Sequence, residues 1–201
     1  HMHIAVILRI VPDLSDELDI DDYGTDIDRE WVGLKLNEFD DHALEEAVLI
    51  KEASGARVTA VAFAGDGAER QLQNAVARGV DDVLMIEHNL KAALTSRMAA
   101  HLLAQSLPEL GAQVVLTGVQ TSEDVYGQLA PFLAGAMNWP TLNAVHGVSV
   151  AGKTLTVTQE YSGGHAAQFA ATGPVVLGVQ TASRALRYVP GSKLREAAGT
   201  S

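Results

Sequence analysis

Five short, nearly continuous apolar runs punctuate this chain: Ile4–Val11, Val58–Ala64, Asp82–Ile86, Gln113–Gly118 and Pro174–Gln180. A strand that is apolar at successive positions buries both of its faces, as strands of a parallel sheet covered by helices do. Between and after the first four runs lie stretches with helical spacing. Phe39–Ser54 carries Ala43, Leu44, Ala47, Val48 and Ile50 on one face, follows Asn37 and stops at Gly55. Ala68–Arg78 ends at Gly79, Lys91–Leu107 is closed by Pro108 and Gly111, and Tyr126–Met137 is terminated by Trp139-Pro140. Strand and helix alternate up to Pro140, which predicts an α/β fold with a doubly wound, mostly parallel sheet.

The pattern changes after Pro140. Gly147–Gln159 reads as a hairpin turning at Ala151-Gly152, Gly163-Gly164 as a further turn, and Gln168–Ala171 as a short strand. This is a small C-terminal β hairpin region, followed from Ala182 to Ser201 by a basic tail with no core pattern. Residues 2–181 are expected to form one nucleotide-binding domain and 182–201 a separate tail. Near the other end, Asp13–Glu30 holds nine acidic residues against one arginine, with Tyr23-Gly24 as a turn, and reads as a solvated loop or exposed hairpin.

Charge removes several function classes. The formal net charge is -11, which disfavours nucleic acid and anionic membrane surfaces, because a phosphate lattice demands clustered Lys and Arg. The chain has no cysteine, so disulfides, thiolate metal sites and Cys nucleophiles are excluded; a cytoplasmic location fits. No apolar run approaches the roughly 20 residues of a membrane span. His1-Met2-His3-Ile4 lacks the features of a signal peptide, and His1 reads as a cloning remnant. The seven histidines show no metal-ligand spacing, and no G-x-S-x-G elbow supports a hydrolase. Neither a catalytic residue nor a metal site is assigned.

In doubly wound sheets ligands sit beyond the carboxyl ends of strands, where strand order reverses. The segments to inspect are therefore Val11–Asn37, Ala64–Ala68 and Gly118–Gln128. Gly118–Pro131 (GVQTSEDVYGQLAP) follows a strand and opens a helix, so its free N–H groups suit an anion. Ser122 or Asp124 would equally serve as a plain helix cap. Gly65-Asp66-Gly67 is read as a tight strand-to-helix turn. Asn37 is read as the cap of the first helix, with contact to a ribose or base as the alternative. The basic tail (Arg184, Arg187, Lys193, Arg195) is either a frayed terminus or an arm for a partner.

These segments, in this order, resemble the beta subunit of electron transfer flavoproteins. Arg9-Ile10-Val11-Pro12-Asp13 is close to the family's K-x-V-P-D, and Leu36-Asn37-Glu38-Phe39-Asp40 to its M-N-P-x-D. Ala43-Leu44-Glu45-Glu46-Ala47 is similar to A-x-E-E-A, and Ala75–Asp82 to A-L-A-M-G-A-D. Gly118-Val119-Gln120 through Gly127-Gln128-Leu129-Ala130-Pro131 resembles the G-K-Q to G-Q-V-G-P stretch. Trp139-Pro140, Glu160, Gly163-Gly164, Pro174-Val175-Val176 and Arg187-Tyr188 keep the register.

The resemblance implies an adenine nucleotide alpha hydrolase-like fold and a heterodimer with an alpha subunit that makes most of the contacts to a shared FAD. It implies an electron carrier between dehydrogenases and a downstream acceptor, not an enzyme by itself. AMP, or a second FAD, would occupy a pocket lined by Ile7, Asn37, Phe63, Thr121, Asp124, Gly127, Gln128 and Leu129. Leu14 and Phe39 fall near the alpha-bound flavin. Several positions depart from the family: Val119 replaces a usual Lys, Tyr126 a Thr or Cys, Ala130 a Gly, and Glu38 a Pro. Arg187-Tyr188-Val189-Pro190 is a shortened R-Y-x-x-L-P, the start of a partner-recognition loop. The alternative function is a shortened, non-redox adenine-nucleotide-binding or structural module of the same fold.

Overall fold

The computed structural model describes residues 2–12, 34–90, 94–119, 129–161 and 163–199. Its centre is an eight-stranded sheet with the order β5-β4-β1-β6-β10-β7-β8-β9. The parallel strands are β1 (His3–Leu8), β4 (Arg57–Phe63), β5 (Asp82–Ile86), β6 (Val114–Gly118) and β10 (Val175–Val179). Each is rich in β-branched residues, and β1, β4, β6 and β10 are buried almost throughout.

β7 (Thr141–Ala151) begins as a parallel partner of β10 and continues as an antiparallel partner of β8 (Thr154–Tyr161). β8 pairs in turn with β9 (His165–Ala171). The expected hairpin is therefore formed by the outer half of β7 with β8, and it extends the main sheet.

Helices cover both faces. α1 (Glu38–Ser54) and α2 (Ala68–Arg78) pack on one side with Ile4, Val6, Leu8, Val58 and Ala60. α3 (Ser96–Leu110) and α4, described over Leu129–Met137, pack on the other with Ala5, Ile7, Val61 and Val115. Alternate residues of β1 thus feed two separate cores, as pleating requires.

Three local expectations are revised. The run Ile4–Val11 breaks at Arg9: Ile10–Pro12 (β2) leaves the main sheet and pairs antiparallel with Leu34–Leu36 (β3). Asp13–Glu30, read as a solvated loop or exposed hairpin, lies outside the described residues. Pro108 does not close α3; it sits inside the last turn, and the left-handed Gly111 ends the helix. The start of α3 is set by Thr95, whose hydroxyl accepts the Met98 N–H at 3.2 Å. In the tail, Gly191–Ala198 forms α5, which packs on α2 and buries Ala197.

Candidate functional site

Strand order reverses beside β1. The chain steps outward from β1 to β4 and β5, then returns to place β6 on the other side of β1. The carboxyl ends of β1 and β6, at Leu8 and Gly118, therefore flank the crevice where a doubly wound sheet holds its ligand.

Asp40, in the first turn of α1, lies directly in this crevice. One carboxylate oxygen accepts the Arg9 N–H at 2.8 Å and the other accepts the Gly118 N–H at 2.8 Å. The residue is 2% exposed. Burial pushes its pKa up to about 7; the Arg9 charge, the two N–H groups and the Asn37 side chain oppose that rise. Gly118 is needed here for room. A Cβ on it would stand 2.7 Å from the Asp40 nitrogen and 2.7 Å from the Phe39 Cβ.

Arg9 turns its guanidinium the other way, toward the start of α3. Nη1 donates to the Ser96 hydroxyl at 3.1 Å and Nη2 to the Leu94 carbonyl at 2.9 Å. At the carboxyl end of β4, the Phe63 ring meets His88 edge-on with centroids 6.5 Å apart, and His88 Nε2 lies 3.1 Å from the Ala64 carbonyl. Arg97, in the first turn of α3, stacks over Phe132 of α4 at 5.2 Å. The strand ends thus present a cation and aromatic surfaces, a set suited to an anionic, ring-bearing ligand.

Of the residues that sequence placed in a nucleotide pocket, Ile7, Asn37, Phe63 and Leu129 are described. They do not share one face. Ile7, Phe63 and Leu129 belong to the side of α3 and α4, whereas Asn37 stands with Phe39 at the start of α1. Ile7 is wholly buried one residue before the end of β1, and Leu129 is 2% exposed, so both support the crevice from beneath. Phe63 and Phe39 are half-buried. Thr121, Asp124, Gly127 and Gln128, together with Leu14, lie outside the described residues.

Asn37 occupies the cap position of α1, but its side chain makes no capping bond to the helix. It interacts with the Asp40 carboxyl instead, while its backbone N–H donates to the Arg9 carbonyl at 2.8 Å. Gly65-Asp66-Gly67 forms the expected tight turn, with Gly67 at φ 81°, a left-handed conformation that glycine adopts freely. Arg9 and Asp40 were absent from the sequence-derived pocket. The one charged residue inside the apolar run Ile4–Val11 was the available signal for Arg9.

A cleft of about 450 Å³ lies at the opposite, amino end of the strands, beside Met2, Gln113, Val114, Val150 and Lys153. Two of its polar side chains bond within the protein: Gln113 accepts the His3 N–H at 2.9 Å, and the Ser54 hydroxyl donates to the Ile50 carbonyl at 2.6 Å. Among the described residues no group of three or more His, Asp or Glu side chains is placed to hold a metal ion. No described helix is long and apolar enough to cross a membrane.

Comparison with known proteins matches residues 25–199 to the electron transfer flavoprotein domain. The chain is 25% identical over 201 residues to electron transfer flavoprotein subunit beta of Methylophilus methylotrophus, covering 98% of this chain and 76% of that one. It is 29% identical over 164 residues to the subunit beta of Clostridium acetobutylicum, covering 82% of this chain and 63% of that one. A probable subunit beta of Saccharomyces cerevisiae is 28% identical over 200 residues, with 98% and 76% covered. The chain therefore spans between about two thirds and three quarters of the length of these relatives.

Proposed function

The chain belongs to the electron transfer flavoprotein domain family, and from that premise we propose that it is the beta subunit of a heterodimeric electron transfer flavoprotein. It makes and breaks no bonds alone. It supports an FAD held mainly by an alpha subunit, through which electrons pass from dehydrogenases to a downstream acceptor. Its own crevice takes AMP or a second FAD. The observation that carries this role is the alignment of subunit-beta relatives along 98% of the chain, onto a sheet whose order reverses at β1 and β6.

The residues at the strand ends fit an adenine nucleotide. Arg9 supplies a cation beside the start of α3, and Phe63 supplies an apolar ring edge. Asn37, Phe63 and Leu129 would line the ligand together with Thr121, Asp124, Gly127 and Gln128, with Ile7 as the floor. Leu14 and Phe39 would face the flavin of the alpha subunit. A bound flavin supplies the electron chemistry; AMP supplies none. In the tail, Tyr188 is 87% exposed directly after the docked Arg187, which supports a partner-facing role for Arg187-Tyr188-Val189-Pro190.

Co-expression with an alpha-type subunit is the test. A yellow complex is expected, with reducible flavin, and with AMP or FAD released from the beta chain on denaturation. Colourless preparations with every alpha-type partner would end the electron-transfer role. Protein that carries neither nucleotide, and gains no thermal stability from either, would favour a non-redox module.

A further inference from the structure

We propose that Asp40 is a positioning residue that acts as a built-in anion: its carboxylate fills the switch-point crevice and fixes the strand-end amides of Arg9 and Gly118 in place. The inference deepens the nucleotide-binding role proposed above, because Gly118 begins the segment that leads to α4 and its suggested nucleotide contacts.

Three observations carry it. The two amides come from the carboxyl ends of β1 and β6, the pair between which strand order reverses, and a single side chain joins them at 2.8 Å each. In doubly wound folds, N–H groups at this place and the start of the adjoining helix are what an anionic ligand uses. Here a carboxylate from the first turn of α1 takes them, and nothing larger than hydrogen fits on Gly118 beside it. Asp40 is also buried, so its bonds to the two amides are made away from water, where they are strongest and most directional.

The neighbouring groups agree with this role. The nearby Arg9 charge balances the carboxylate, yet its guanidinium is spent on Leu94 and Ser96, so the two residues do not form a direct ion pair among the described contacts. Asn37 holds the carboxyl from the cap position of α1, and Thr117 turns its hydroxyl away to the Gly118 carbonyl at 3.0 Å. A phosphate of a bound nucleotide is therefore directed away from these two amides, toward the side of α3 and α4 where Arg9 points.

Chemical rescue separates this role from ordinary packing. Asp40→Ala removes the anion and leaves a space of carboxylate size; Asp40→Asn keeps the volume but turns one acceptor into a donor facing an N–H. Melting midpoints and AMP titrations are measured at about pH 8, where Asp40 is ionised, for the full chain and both variants, in sodium formate and in sodium chloride of equal ionic strength. Both variants should melt lower than the parent and bind AMP at least about tenfold more weakly, the size of one lost charge-assisted bond. Formate, but not chloride, should raise the midpoint and AMP affinity of Asp40→Ala in a saturable way and leave Asp40→Asn unchanged.

Equal effects of formate and chloride on Asp40→Ala would overturn the proposal. So would an Asp40→Asn protein with the parent's midpoint and AMP affinity. If Asp40→Ala folds only when formate is present, the anion role is supported directly. If the parent itself binds neither AMP nor FAD, the nucleotide-binding role fails, and the formate-dependent midpoint still decides the role of Asp40.

Discussion

Arg187 closes on Glu45: Nε lies 2.9 Å and Nη2 2.7 Å from one carboxylate oxygen, and the Arg187 N–H donates to the other at 3.2 Å. Glu45 is 1% exposed and also receives Arg78 Nη2 at 3.1 Å, so one buried carboxylate joins α1 to α2 and to the tail. Burial alone would raise its pKa, but the hydrogen bonds from Arg187 outweigh that and hold it below the ordinary value. Its contribution to stability is therefore present above about pH 4.5 and is lost as pH falls through the lowered value. Glu45→Ala should cost about 3 kcal/mol in urea denaturation at neutral pH, because it strips a buried partner from Arg78.

Removing the other partner should be milder. Arg187 is about one-third exposed, and Glu45 would keep Arg78. Arg187→Ala should cost about 1 to 2 kcal/mol and should free the segment that leads to Tyr188. Trypsin should then cut faster at Arg184, Lys193 and Arg195 than in the parent. Unchanged cleavage would mean that the tail is held by α5 on α2 rather than by this pair.

Glu46 makes the second attachment. One oxygen accepts the Val148 N–H at 2.8 Å and the Ser183 hydroxyl at 2.7 Å, and the other accepts the Ser183 N–H at 2.6 Å. Glu46→Ala would leave two backbone donors unpaired beside a fully buried position, at a cost of about 2 to 4 kcal/mol. Glu46→Gln should recover part of this, since its carbonyl still accepts one of them. Urea midpoints of both variants check the order.

The two glutamates show where the sequence was legible and where it was not. The spacing of Ala43, Leu44, Ala47, Val48 and Ile50 identified the core face of α1 correctly, because those residues meet β1 and β4 across the sheet. Glu45 and Glu46 fell on the side that the same periodicity marks as solvated. They are buried because the tail and β7 cross that side, bringing partners from 102 to 142 positions later in the chain. Helical period carries no record of such contacts. The parallel sheet was legible because each strand was apolar on both faces. The switch point followed from that topology, but Asp40 did not: it shares the first turn of α1 with Glu38 and Asp41, and such an aspartate looks the same whether it favours the helix dipole or binds two distant strand ends.

Gly118→Ala tests the approach of α1 to β6, with the Asp40 carboxylate also in contact with the added methyl. The added methyl would press on the Asp40 backbone nitrogen and the Phe39 Cβ, each 2.7 Å away, and neither is the free end of a flexible chain. The start of α1 must then retreat. A loss of about 2 to 3 kcal/mol is expected, typical of overpacking against rigid surroundings. Gly135→Ala has open space around its Cβ and sits within α4, so it should be neutral or slightly stabilising. Thermal melts of the two single variants make the comparison.

Asp40 should also leave a signature in stability against pH, opposite in sign to that of Glu45. Its pKa is raised to about 7 in the fold from an ordinary 3.8, chiefly by burial. Between those values the folded chain keeps a proton that the unfolded chain has released. Stability therefore falls as pH rises through this window and levels off above about 7. Asp40→Asn does not titrate, so the difference in unfolding free energy between parent and variant isolates the effect. That difference should shrink by about 2 to 3 kcal/mol from pH 5 to pH 8, at roughly 1.4 kcal/mol per unit over the titrating range. A difference that stays constant across this range would place the Asp40 carboxyl at its ordinary value, with the Arg9 and Gly118 amides and the Arg9 charge offsetting the whole cost of burial.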